Sequence, residues 1–224
     1  ENKWSTKHLH HLICTSRAYR QSSTKTKLAA SKDSDNVLLS RMPMRRLDAE
    51  ELHDGLLAIA GRLNMRMGGE PDEVQVFGRG YVTGKPGDEG WRRSVYIRQR
   101  RIHTMTLLET FDLPTMNPNC VERVNSTVVQ QPLYLLHDKV IYGLARQLAS
   151  QIQKETKGIE PSIRLAYQKI VNRPPSKKEL ASMIESVGEL ERQFVEAKET
   201  GQRNKALAAV CHALFNSAAF LYVD

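Results

Sequence analysis

The chain has 224 residues, enough for one large domain or two small ones with a sizeable core. It carries 33 Lys and Arg against 25 Asp and Glu, and the resulting net charge of +8 favours anionic partners without indicating a fold. The sequence holds no run of about 18 apolar residues, which argues against a transmembrane helix. Aromatic residues make up only 6% of the chain, and because single-stranded nucleic acid binds by stacking its bases on aromatic side chains, nucleic acid is an unfavoured partner.

The cysteines predict neither a haem nor a structural zinc in this chain. Cys14, Cys120 and Cys211 are widely spaced, and neither C-x-x-C nor C-x-x-C-H occurs. An odd count is a poor basis for a disulfide framework, although one bridge with one free thiol stays open. Free cysteine behaves as a small hydrophobe, so we expect three buried thiols.

The first predicted helix spans residues 5–18. Ser5 is a suitable N-cap, and the apolar side chains recur at helical spacing. His8 and His11 lie one turn apart, but no further ligand is close in sequence, so we predict no metal there. Residues 21–36 are rich in Ser, Thr, Lys and Asp and predict a loop.

A second helix is predicted over residues 47–63. Its apolar side chains fall within a narrow arc: Leu52, Leu56, Ile59 and Leu63. A second stripe carries Arg46, Glu50 and Asp54 and continues through Leu57. Because that stripe is not wholly polar, we expect another part of the protein to cover it.

The glycine-rich segment 70–91 predicts a long loop or hairpin with two short strands. Val74 with Val76, and Tyr81 with Thr83, are the expected inward residues. The sequence Gly78-Arg79-Gly80 lacks the spacing of a phosphate-binding loop. Residues 92–99 alternate as a strand does, with Val95 and Ile97 toward the core.

The longest predicted helix spans residues 131–155, after a helical turn before Pro114 and an irregular segment over 112–128. His137 falls within its apolar arc, and we interpret it as a core histidine. The side chains expected on that arc are Leu133, Leu136, Val140, Leu144, Leu148 and Ile152.

Three further helices are predicted over 161–172, 176–200 and 203–216, the second opened by the capping-box pair Ser176 and Glu179. The predicted fold class is therefore mainly α: a multi-helix domain with a small β element at about 74–99. We expect one domain overall, with a possible subdivision into residues 1–155 and 156–224.

Six charged residues form a predicted polar cluster. Buried arginine is normally paired, because an unpaired charge away from water is costly. The arginine-rich strand, the covered helix stripe and the irregular segment each contribute members that we expect to meet. They are Arg46, Glu50, Asp54, Arg93, Asp112 and Arg123.

Several motifs, in order along nearly the whole chain, resemble a domain of unknown function of the PSD type. This domain lies at the C-terminus of large multidomain planctomycete proteins that also carry c-type cytochrome domains. The chain resembles the family's W-S-x-K and R-R-L-x-A-E motifs at Trp4-Ser5-Thr6-Lys7 and Arg45-Arg46-Leu47-Asp48-Ala49-Glu50. Arg173-Pro174-Pro175-Ser176 is similar to its R-P-P-T/S motif, and residues 216–223 are similar to its closing N-S-x-x-F-x-Y-V motif. The family usually has Asn where this chain has His137.

The resemblance implies an extracytoplasmic (periplasmic or cell-surface) protein whose upstream domains can carry haem c, and the absence of haem and zinc motifs predicts no cofactor in this chain. Because the resemblance starts inside the family's domain, we expect the chain to be truncated at its start. A non-catalytic docking, assembly or substrate-presenting module is the favoured function, and its partners would be other domains of the same polypeptide, another protein or an acidic polysaccharide. The alternative is a hydrolytic or polysaccharide-processing enzyme acting on an anionic substrate. No catalytic residue is assigned, and the sequence leaves open whether the chain is an enzyme.

Overall fold

The computed structural model describes residues 3–86, 90–100, 102–114, 120 and 122–223, apart from the side chain of Arg79. The described residues form ten helices and three small sheets of two strands each, and this described part of the chain is 53% helical. The predicted mainly α fold with a small β element is therefore confirmed. No described helix combines the length and apolarity needed to cross a bilayer.

The chain divides into two compact units. The terminal unit contains residues 1–46 and 222–224, and the helical unit contains residues 47–221. The predicted subdivision near residues 156–160 lies within the helical unit.

Two short helices and one strand pair form the terminal unit. Helix α1 (Thr6–Thr15) begins after Ser5, whose hydroxyl accepts a hydrogen bond from the His8 N–H at 3.3 Å. Helix α2 (Lys27–Lys32) lies inside the predicted loop at 21–36, and that prediction was wrong because Thr26 caps the Ala29 N–H at 3.1 Å. Neither helix buries a residue. Strand β1 (Arg45–Arg46) pairs antiparallel with β6 (Tyr222–Val223).

The helical unit opens with α3 (Ala49–Ile59), which a capping box between Asp48 and Glu51 starts. Leu52 and Leu56 are fully buried, as their spacing predicts. The helix ends before the expected residue 63 because Gly61 adopts a left-handed φ of +64°. Leu63 lies instead in β2 (Leu63–Asn64), which pairs parallel with β5 (Trp91–Arg92).

The glycine-rich segment forms the predicted hairpin. Strand β3 (Val74–Val76) pairs antiparallel with β4 (Val82–Gly84), and a 3-10 turn at Gly78–Gly80 connects them.

The strand predicted over 92–99 was wrong beyond Arg92. A 3-10 turn at Ser94–Tyr96 replaces it, closed by the Tyr96 N–H on the Arg93 carbonyl at 2.9 Å. The turn abolishes the two-residue alternation, so Ile97 is buried while Val95 is 75% exposed.

The long helix predicted over 131–155 is two helices, α5 (Gln130–His137) and α6 (Lys139–Glu155), which follow the short α4 (Thr106–Thr110). Asp138 takes extended backbone angles between them. The break changes which side chains face inward: Leu135 is buried, whereas Leu133, Leu136 and His137 are exposed. The interpretation of His137 as a core histidine was therefore wrong.

The remaining helices are α7 (Ile159–Ile170), α8 (Lys177–Glu196), α9 (Gln202–Phe215) and α10 (Ala218–Leu221). Helix α6 packs along α9, and the two meet through fully buried side chains including Leu148 and Cys211. Burial of Cys211 matches its prediction, but Cys14 and Cys120 are exposed, so the expectation of three buried thiols was wrong. Cys14 lies on α1, which buries no residue.

Candidate functional site

The structure brings two members of the predicted polar cluster into direct contact. The Arg123 guanidinium donates to both carboxylate oxygens of Glu50, at 2.9 and 2.7 Å, and lies 3.8 Å from Asp48. The hydrogen bond from Arg123 lowers the pKa of Glu50, and the same bond raises the pKa of Arg123. Both side chains are partly exposed, so this pair stabilises the fold modestly.

The other four members occupy different surroundings. Asp54 accepts a hydrogen bond from the Ser94 N–H at 2.7 Å. Asp112 accepts from the Ser126 N–H and hydroxyl at 2.8 and 2.7 Å. Arg93 is half-buried and forms no ion pair with a carboxylate in the described part of the chain. Arg46 is buried in β1 of the terminal unit.

The arginine-rich segment is neutralised largely by nearby carboxylates. Arg92 is buried, pairs with Asp72 at 2.6 Å, and donates to the carbonyls of Gly68 and Glu70. Arg98 and Arg100 both pair with Glu73, at 2.9 and 3.1 Å. Arg92 therefore holds the loop before β3 in place.

A pocket that the sequence did not predict lies between the β3–β4 hairpin and the α5–α6 junction. This junction pocket has a volume of about 590 Å³ and a mostly apolar lining. Such a volume is typical of small-molecule or side-chain binding sites. Its lining residues are Phe77, Gly78, Tyr81, Thr83, Thr106, Tyr134, His137, Asp138, Lys139 and Val140.

Asp138 stands at the centre of the polar contacts in the junction pocket. Its Oδ1 accepts the N–H groups of Val140 and Ile141, at 2.8 and 3.0 Å, and so caps α6. Its Oδ2 accepts the hydroxyl proton of Tyr81 at 2.6 Å. Three donors thus already occupy this buried carboxylate.

Two tyrosines complete this polar group. Burial, and then the hydrogen bond to Asp138, raises the pKa of Tyr81 to about 12. Burial and the charge of Asp138 also raise the pKa of Tyr134. Both phenols therefore stay protonated at neutral pH and act as hydrogen-bond donors rather than as bases or nucleophiles.

A histidine lies behind the junction pocket. His53 on α3 is 3% exposed, and its Nδ1 lies 2.9 Å from Oδ1 of Asp54. Its Nε2 is buried and has no hydrogen-bond partner among the described residues. His53 borders an internal cavity of about 20 Å³. Four residues border both this cavity and the junction pocket: Thr83, Tyr134, Asp138 and Val140.

Comparison with known proteins assigns the chain to a family. A family model described as PSD1, a protein of unknown function (DUF1553), matches residues 1–187. The chain belongs to the PSD1 family. The matched part of this PSD1 chain contains the whole junction pocket and His53. No curated protein and no solved structure matches the chain.

The sequence analysis did not predict that the central residues of the junction pocket belong to a site, and the reasons can be identified. Asp138 lay inside a predicted helix, although an aspartate before an apolar run is also a helix-start signal. Tyr81 was predicted only as an inward residue of a short strand, and not as a donor to Asp138. His53 lies among the apolar residues of α3. It is adjacent to Asp54 in sequence, and the sequence does not show that their side chains form a hydrogen bond. In the described residues, no group of three His, Cys, Asp or Glu side chains is arranged to hold a metal.

Proposed function

We propose that this PSD1 domain is a non-catalytic docking module, and that the junction pocket receives an apolar side chain of the docked segment. The observation that carries the proposal is a mostly apolar pocket whose carboxylate, Asp138, is already occupied by the α6 N-terminus and Tyr81. A carboxylate held by three donors serves the fold and orients the wall of the pocket. It is poorly placed to exchange protons with a substrate.

The outer face of α5 supports a docking role. Leu133 and Leu136 of α5 are 48% and 51% exposed, and Val129, which precedes the helix with helical backbone angles, is 72% exposed. Their spacing of four and three residues places the three side chains on one side. Tyr134 and His137 on the same helix line the pocket. A polypeptide that places one side chain in the pocket would cover this stripe as well.

The proposed partner is another domain of the same polypeptide or a separate protein, in an extracytoplasmic setting. The setting rests on the resemblance to proteins with c-type cytochrome domains, whose haem is attached outside the cytoplasm. The net charge of +8, together with exposed Lys139 and His137 at the pocket, favours a partner with acidic residues beside its apolar anchor. An acidic polysaccharide would use the same charge but leave the apolar lining unused.

The enzymatic alternative has less support in the geometry. It needs two carboxylates, or a carboxylate and a histidine, that face one substrate. Glu50 is paired with Arg123, and Asp112 is bonded to Ser126. In the His53 and Asp54 pair, His53 is buried beside a cavity of about 20 Å³, which has room for no more than one water-sized group.

Selection from a random peptide library displayed on phage tests the docking function. We expect the wild-type domain to enrich peptides with a large apolar residue and nearby acidic residues. Gly78 lines the pocket, and a Cβ built at Gly78 meets no atom within 4 Å, so Gly78→Leu adds a large apolar side chain at the edge of the pocket without straining the backbone. This variant should weaken the selected peptides by at least about tenfold.

Gly188→Leu is the matched control. It also adds a side chain where nothing lies within 4 Å, but it lies on α8 and outside the junction pocket. Its peptide affinities should equal those of the wild type. Failure to enrich any peptide family, or equal weakening by both variants, would contradict the docking proposal.

A further inference from the structure

His53 has a defined tautomer. Its Nδ1 faces the Asp54 carboxylate, which accepts hydrogen bonds and cannot donate them when ionised. Nδ1 therefore carries the proton, and in the neutral ring Nε2 is an acceptor. A buried acceptor without a partner costs free energy, so the surroundings of Nε2 favour a group with an O–H or N–H to donate.

The internal cavity beside His53 has the right size for one such group. Its volume of about 20 Å³ admits a single oxygen-sized group. Most of its border is apolar, and besides His53 its polar members are Thr83, Tyr134 and Asp138. Asp138 is already occupied by three donors, which leaves His53 Nε2 as the unsatisfied acceptor.

The cavity and the junction pocket share part of their walls. Thr83 and Tyr134 come from the hairpin side and from α5, whereas Asp138 and Val140 come from the α5–α6 junction. A ligand seated in the junction pocket therefore lies against residues that also border the cavity. The combined site has a wide apolar body and a narrow inner end that is also mainly apolar, with His53 as a polar group on its border.

We propose that the internal cavity is the inner end of the junction pocket, and that the docked anchor is a tyrosine side chain whose phenol O–H donates to Nε2 of His53. The inference rests on the proposed docking function and names its anchor. The apolar ring fits the lining formed by Phe77, Tyr81 and Val140, and the hydroxyl satisfies the buried acceptor. An anchor that lacks a donating group leaves Nε2 unsatisfied.

Small aromatic probes test the inference on the intact wild-type chain. 4-Methylphenol mimics the tyrosine side chain, 4-methylanisole keeps its oxygen but lacks the donated hydrogen, and toluene lacks the oxygen. Titrations followed by NMR should give 4-methylphenol an affinity at least about tenfold higher than either control. In protein labelled with ¹⁵N-histidine, only 4-methylphenol should shift the Nε2 resonance of His53.

The variant His53→Phe supplies the second arm. It removes the acceptor and keeps an aromatic ring in the buried position. The variant should therefore bind 4-methylphenol about as tightly as it binds 4-methylanisole and toluene. Equal binding of the three probes to the wild type, or a preference that survives in His53→Phe, would overturn the inference and leave the docking proposal standing. Absence of binding by all three probes would count against both. Binding of 4-methylphenol with its preference, but without any peptide selected by the domain, would overturn the docking proposal and the tyrosine anchor with it, and would leave only a phenol-binding site beside His53.

Discussion

At the scale of single residues, Asp138 links two parts of the helical unit. Its carboxylate caps α6 and accepts the hydroxyl of Tyr81, which is 57 positions earlier in the chain. The residue thus ends α5, starts α6 and attaches the hairpin to both. A single side chain that satisfies donors from separate elements is costly to remove, because each donor is left without its acceptor.

Replacement of Asp138 should separate these contributions. Asp138→Ala removes the cap and leaves the Tyr81 hydroxyl unpaired, so we expect the free energy of unfolding to fall by about 2–4 kcal/mol. Asp138→Asn retains an oxygen that can cap α6 and should cost less than half as much. Urea denaturation measures both values, and equal losses in the two variants would show that capping is unimportant here.

Burial of Tyr81, together with its bond to Asp138, gives a pH dependence of stability with a definite sign. Folding raises the pKa of Tyr81 from 10.0 to about 12, so its contribution to stability is fully present below pH 10 and is lost as the pH rises through about 12. In Asp138→Ala the pKa of Tyr81 should fall toward its ordinary value. Absorbance titration of tyrosinate, with Tyr81→Phe to assign the signal, measures the shift; an unchanged pKa would contradict the assignment.

At the scale of secondary-structure elements, the break between α5 and α6 decides which residues face the core. An uninterrupted helix over 131–155 would place Leu133 and Leu136 on the same face as Leu144 and Leu148. The extended backbone at Asp138 changes the direction and rotation of α5, so Leu135 is buried instead. The exposed stripe of α5 is a direct consequence of this break.

Two adjacent leucines on α5 test that description. Leu135 is 0% exposed and Leu136 is 51% exposed, so the two substitutions to Ala remove the same atoms from different environments. Leu135→Ala should lower the free energy of unfolding by about 2–5 kcal/mol, because it leaves a cavity. Leu136→Ala should change it by about 0.5 kcal/mol or less, as measured by urea denaturation. The reverse order would support the uninterrupted helix.

At the scale of the whole molecule, the two units differ in how they are stabilised. The helical unit has one continuous core, centred on α6 and α9 and extended by α3, α4, α7 and α8. In the terminal unit, α1 and α2 bury no residue, and side-chain caps at Ser5 and Thr26 stabilise their first turns. Short helices without a packed face are marginal in water.

Hydrogen exchange should show this difference. We expect the amides of α1 and α2 to exchange at rates close to those of an unfolded chain, and those of α6 and α9 to exchange only through global unfolding. Mass spectrometry of peptides from each helix measures both in one experiment. Strong protection of α1 would mean that it is covered in solution and would contradict the prediction.

Local signals determined much of the fold from the sequence. Helical periodicity and caps predicted α1, α3, α7, α8 and α9 close to their observed bounds, and the glycines predicted the hairpin. These signals act over one or two turns of chain, so the sequence alone reports them reliably. The same locality explains the errors at residues 92–99 and at Asp138, where a turn and a cap override the apolar pattern.

The tertiary structure alone decided the candidate site. Glu50 pairs with Arg123, which lies 73 positions away, while Arg93 forms no such pair in the described residues. The junction pocket exists because Tyr81 and Asp138 bring the hairpin onto the α5–α6 junction, and the buried acceptor of His53 exists because α3 packs behind it. Residue type marks which groups can pair or accept, but long-range packing determines which of them meet and which are left with an unsatisfied atom.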